Sequence, residues 1–126
     1  MSRVFASLGA ISAALAVALG AFAAHGLDGR IGAEELSTFE TAARYHMYHA
    51  LAMLAIGLAP CDEGRARYLV IAGVSFATGT VLFSGSLYLL ALTGVSWLGA
   101  VAPLGGIAFI LGWLTFAKAV WQSESE

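Results

Sequence analysis

The sequence predicts an all-α integral membrane protein, a four-helix bundle of four transmembrane spans joined by short loops. Three observations carry that prediction. Of the 126 residues, 60% are hydrophobic and only 11% are charged, against about a quarter charged in ordinary soluble domains. No charge occurs from Val4 to Ala24, and none over the 50 positions from Tyr68 to Ala117. A single helical span needs about 20 residues, so the longer run must hold two.

The elements follow in order. The opening run gives a first span over 4–24. It shares the make-up of a secretory signal, with Arg3, an apolar middle and small residues at Ala23 and Ala24. Its apolar stretch exceeds the usual signal core of roughly 7–15 residues, and Met1 is retained, so it reads as a span. Between Arg44 and Pro60 only 15 residues remain, too few to cross, so the second helix must start earlier. Ser37-Thr38-Phe39-Glu40 offers a cap with an acid three residues on. A span over 38–59 is then about 33 Å long. Thr93-Gly94-Val95-Ser96 divides the long run, with Trp97 as an interfacial anchor, which gives spans over 67–92 and 97–118. Pro103, followed by Gly105-Gly106, predicts a late start, a kink or an irregular turn in the last helix. The whole chain, 1–126, reads as one multi-pass domain.

Lys and Arg in short loops set orientation. Arg3, Arg65, Arg67 and Lys118 fall on one side and Arg30 and Arg44 on the other, which places both termini in the cytoplasm and the protein in the cytoplasmic (inner) membrane. A net charge of −2 and the lack of a basic stripe exclude a nucleic-acid partner. Cys61, the only cysteine, has no internal disulfide partner. Small residues recur four apart at Ser12-Ala16-Gly20, Gly73-Ala77, Ser75-Gly79 and Ala108-Gly112, a spacing that lets helix backbones approach in lipid. The same faces serve an internal bundle, a homo-oligomer or docking to a larger membrane complex.

The stretch "FETAARYHMYHALAML" at 39–54 places polar groups at the head of an apolar run. With roughly 100° per residue and Glu40 as origin, Arg44, Tyr48, Thr41, Tyr45 and His49 share one half of the helix. Phe39, Ala43, Met47, Ala50, Leu51 and Leu54 form the other. Polar groups in a bilayer normally face the bundle interior, so the first half is expected to point inward, whereas the second suits lipid or close packing. His49 lies about 18 Å down the axis from Ser37, near mid-membrane. With His25, Ser84 and Ser86, these residues predict a polar pocket in the outer half of the bundle. Each has a plain structural reading too. Glu40 caps its helix and pairs with Arg44, Tyr45, Tyr48 and Tyr88 belong to an interfacial belt, Ser84 and Ser86 bond back to their own helix, and His49 bonds a neighbouring helix.

A metal or haem site would draw on His25, His46 and His49. His46 falls off the polar stripe, no second buried acid or cysteine completes a set, and we assign neither a metal ligand nor a cofactor. Phosphate loops, nucleophile elbows and Cys-x-x-Cys pairs are lacking, so an enzyme is not expected.

The blocks "GAFAAHGL" at 20–27, "FETAARYHMYHALAML" at 39–54, "LFSGSLYLLALTG" at 82–94 and "WLGAVAPLGG" at 97–106 resemble, in that order, the YgdD-like family of small bacterial inner-membrane proteins (domain of unknown function 423, UPF0382 type). The resemblance covers nearly the whole chain and implies four helices in the cytoplasmic membrane with no established activity. His25, Glu40, Arg44, Tyr45, Tyr48, His49, Ser84, Ser86, Pro103 and Gly105-Gly106 stand where that pattern has them. The chain departs from it at Ala23 (Gly), His46 (Gln) and Ala102 (Thr), and a ligand position that accepts Gln argues further against a metal. The leading expectation is a non-enzymatic protein that binds or passes a small polar or lipid-like molecule, with Glu40 and Arg44 as its lip and His49 as its deepest polar group. The alternatives are an accessory or assembly subunit and, last, a haem, metal or quinone handling protein.

Overall fold

A computed structural model describes residues 2–122. Helix α1 (Ser2–Phe22) runs into a π-helical turn (Ala23–Leu27), and α2 spans Ala33–Leu58. Next, α3 (Glu63–Gly79) continues through a second π-helical stretch (Thr80–Gly85) into α4 (Ser86–Thr93), and α5 spans Leu98–Trp121. There is no strand among the described residues. Three continuous rods, at 3–27, 63–93 and 98–121, are long and apolar enough to cross a membrane. The fourth, α2, has 26 residues, and its polar residues lower its hydropathy. It is also the helix that touches all the others, so bundle contacts rather than lipid surround much of it.

Helix ends follow local chemistry. The start of α2 lies at Ala33, not at the expected 38, with Gly32 in extended backbone as its N-cap and Glu34 and Glu35 in its first turn. Acids there complement the positive helix end, and nothing between them and Ser37 interrupts the helix. Ser37 is therefore interior, its carbonyl accepting from Thr41 Oγ1 at 3.0 Å. Helix α3 starts at Glu63, four residues before the expected 67, because the Asp62 carboxylate accepts the Arg65 backbone N–H at 2.9 Å. That hydrogen bond, reinforced by the Arg65 side chain, holds the Asp62 carboxyl below the usual carboxylate range. At the expected break, Gly94 takes φ 69° and donates its N–H to the Leu90 carbonyl at 2.9 Å. This left-handed conformation suits glycine. Pro103 lies within α5, which is continuous from Leu98.

Small residues set the helix contacts, as expected, at Gly73, Gly79 and Gly112, where a Cβ would strike Phe5, Phe109 and Phe76, and also at positions outside the expected set. A Cβ on Gly57 would fall on the backbone of Ala6, and one on Gly9 would lie 2.6 Å from the Leu54 nitrogen. These two glycines bring α1 and α2 into backbone contact. Gly105 does the same for α5 against Phe83. Gly20, by contrast, faces open space. Two apolar clusters result, one around Met53, Phe76 and Phe109 and one around Phe39, Leu27 and Ala91.

Neither π-helical segment was foreseen from the sequence. Each departs from the i→i−4 pattern, as π turns often do beside functional groups. The Thr80–Gly85 segment carries Ser84, which is fully buried and donates to the Ala42 carbonyl of α2 at 2.8 Å.

Candidate functional site

Helix α2 follows the expected orientation at His49, but most of its polar stripe turns outward. Its buried residues include Phe39, Ala42, Ala43, His46, His49, Ala50 and Met53, whereas Glu40, Arg44, Tyr45 and Tyr48 lie exposed. Of the apolar half, Phe39, Ala43 and Ala50 are interior through close packing, whereas Leu51 is exposed. The physical reason is closeness: alanines let the other helices reach the α2 backbone, while Glu40 and Arg44 are long enough to carry their charges along the surface. The two do not form an ion pair among the described residues, so no charged lip forms. His25 is also exposed, in the π turn that ends the first rod.

The buried face brings in His46, which lies off the polar stripe. His46 is 4% exposed, with Nε2 at 2.9 Å from Ser12 Oγ of α1 and Nδ1 at 3.0 Å from the Tyr88 hydroxyl of α4. One side chain thereby ties three helices together. Tyr88 is no belt residue, for its ring packs on Phe39 with centroids 4.8 Å apart. Signals for this site did exist: His46 shares its helix face with Phe39, Ala43 and Ala50, and alanines beside a polar residue mark an interior contact face. The partners Ser12 and Tyr88 lie 34 and 42 positions away, beyond the reach of any local pattern.

His49 is equally buried, at 4% exposure, but differently held. Its Nδ1 donates to the Tyr45 carbonyl at 2.7 Å and its Nε2 accepts from Trp113 Nε1 at 3.1 Å. A carbonyl only accepts and an indole only donates, so these partners fix one neutral tautomer. The ring also stacks on Phe109 with centroids 3.4 Å apart and 6° between planes. Each hydroxyl partner of His46 can donate or accept, so either tautomer of that ring is satisfied. His49 is locked; His46 is reversible.

The two imidazoles serve separate cavities. One, of about 490 Å³, lies between α1, α2 and the Thr80–Gly85 segment, with Leu8, Ile11, Leu15 and Val81 as apolar wall and Ser12, His46 and Tyr88 as its polar side. The other, also about 490 Å³, lies between α2 and α5 beside Tyr45, Tyr48, His49, Phe109 and Trp113. Of the expected pocket residues, Tyr45, Tyr48 and His49 share the second cavity and Ser84 lines the first. Ser86 bonds back to the Phe83 carbonyl at 3.0 Å, the structural role its position allowed. Because His46 and His49 turn to different helices, they do not converge as a chelating pair.

Four helices, three of them long and apolar enough to span a bilayer, around a central helix with two buried imidazoles define a small multi-pass membrane protein. The chain belongs to the family described as "Protein of unknown function (DUF423)", whose profile matches residues 19–106. It is 47% identical over 117 residues to the UPF0382 membrane protein YwdK of Bacillus subtilis, covering 93% of this chain and 95% of that one. It is 48% identical over 118 residues to the UPF0382 membrane protein SERP0230 of Staphylococcus epidermidis, with coverages of 93% and 94%. A UPF0382 membrane protein of Haemophilus influenzae is 38% identical over 125 residues, or 99% of each chain. No solved structure matches.

Proposed function

We propose that this protein is a non-enzymatic membrane protein that holds a lipid-like molecule in the groove between α1, α2 and Thr80–Gly85, with His46 as its polar contact. In this reading the whole chain acts as one domain in the cytoplasmic membrane, with both termini on the cytoplasmic side. The supporting observation is the coincidence of His46, its two hydroxyl partners and a cavity of about 490 Å³, a size within the roughly 300–1,000 Å³ of small-molecule sites. The walls are aliphatic, which suits a hydrocarbon chain, and the polar groups gather at one place, which suits a single head. Leu15, on the groove wall, is 52% exposed, so the groove is open sideways, where lipid surrounds a membrane-embedded bundle.

Native mass spectrometry of protein extracted gently from its own membrane tests this. A reproducible added mass, lost in Leu15→Trp, which fills the groove from its open side, is the expected result. An added mass that survives Leu15→Trp, or a bare protein in membranes from every growth condition, would overturn the reading.

A further inference from the structure

We infer that the α1–α2 groove selects molecules whose polar end is uncharged and carries a hydrogen-bond-accepting oxygen, such as long-chain alcohols, and excludes charged head groups. This rests on the proposed function and adds the chemistry of the occupant. Three observations carry it.

The first is the depth of the site. His46 stands thirteen residues after Ala33 and twelve before Leu58, the midpoint of α2. A head group that reaches it leaves the interface for the centre of the bundle, where a charge is costly on every scale. An alcohol carries no such penalty.

The second is the lining. No Lys, Arg, Asp or Glu lines this cavity among the described residues, so a charged head would have no counter-ion. A buried charge without a partner is among the most expensive arrangements in a protein. The charge of an anion could be balanced from within the lining only by protonating His46, which places two charges where the neutral arrangement places none.

The third is a proton count. Ser12, His46 and Tyr88 bring three hydrogens that can be donated, one from each hydroxyl and one from a neutral imidazole. Their two mutual contacts use two of the three. If Nε2 carries the proton, Tyr88 donates to Nδ1 and the Ser12 hydroxyl is left over. If Nδ1 carries it, Ser12 donates to Nε2 and the Tyr88 hydroxyl is left over. In either tautomer one donor remains, and an oxygen on the occupant satisfies it. The arrangement also gives the occupant's own hydroxyl proton an acceptor, because both protein oxygens keep free lone pairs.

The test uses the full chain in lipid nanodiscs and a long-chain alcohol with a photoreactive diazirine at mid-chain. Matched-length probes compete: the unlabelled alcohol, the alkyl sulfate, the alkyl trimethylammonium and the plain alkane. The expected result is labelling on α1 and Thr80–Gly85, competed by the alcohol at least about tenfold more effectively than by either charged probe or the alkane. His46→Leu should erase that preference, and His46→Gln, which keeps one donor and one acceptor, should retain it. Equal competition by charged and neutral probes, or preference for the sulfate, overturns this inference and leaves the groove as a chain-binding site. Labelling that no probe competes overturns the proposed function as well.

Discussion

His46 Nδ1 meets the Tyr88 hydroxyl at 3.0 Å across 42 positions of sequence, and the same ring meets Ser12 on its other side. The contact sits just beyond the Thr80–Gly85 π segment, which sets the rotation of α4 relative to α3. Tertiary packing therefore makes a hub of a histidine that looks marginal on a helical wheel.

Replacing that hub separates shape from polarity. His46→Leu leaves two hydroxyls beside an apolar group and is expected to destabilise the bundle by about 1–3 kcal/mol, the cost of unpaired buried polar groups. His46→Gln should stay within about 1 kcal/mol of wild type, because an amide can still donate to one hydroxyl and accept from the other. Thermal unfolding of both variants in nanodiscs checks this ordering.

His49→Leu should act on stability alone. The Trp113 N–H loses its acceptor and the Phe109 face loses its stacking partner, together an expected loss of about 2–4 kcal/mol. Melting temperature should fall while any mass bound in the α1–α2 groove persists, in contrast to Leu15→Trp. Loss of that mass in a folded His49→Leu protein would tie the two cavities together.

Gly57→Leu is expected to abolish the α1–α2 contact, since its Cβ would strike Ala6 backbone and backbone cannot be repacked by rotamer change. Overpacking costs about 1–3 kcal/mol and occasionally more, and this site belongs at the upper end. Gly20→Ala, facing open space, should leave the melting temperature unchanged or raise it slightly through helix propensity. Parallel melts of the two variants test whether close approach or composition makes these glycines necessary.

Ser84→Ala removes the buried bond to the Ala42 carbonyl. Interhelical hydrogen bonds in membranes contribute about 0.6 kcal/mol on average and up to about 1.7. The loss should fall in that range, as read from unfolding in mixed detergent micelles.

Asp62 supplies a pH test away from the membrane interior. Its carboxyl is held below the usual range by the Arg65 N–H, so it binds its proton less readily when folded than when unfolded. Its contribution is therefore full above the unfolded value and is lost as pH falls through the folded one. Wild type and Asp62→Ala should differ in melting temperature at neutral pH and converge in strong acid; a gap that persists in acid would show that the cap acts without its charge.

Much of the fold was legible in the sequence. Charge-free runs mark the spans because lipid rejects charge, and Gly94 marks the turn because only glycine sits easily at positive φ. The helices start at Ala33 and Glu63, ahead of the positions that the Ser37 capping pattern and the onset of apolarity mark. Caps are decided by backbone geometry at Gly32 and by the Asp62 side chain, and apolarity does not mark them.

The candidate site was legible only in part. By itself the sequence determined that this chain is helical, that it belongs in a membrane and that the polar chemistry of α2 centres on residues 40–49, because composition and hydropathy act locally. Only the tertiary structure decided that Glu40 and Arg44 face out, that His46 faces in, and that Ser12 and Tyr88 meet it. Those outcomes depend on which helices can approach α2, and close approach is set by glycines and alanines on three separate rods whose pairing no local pattern encodes.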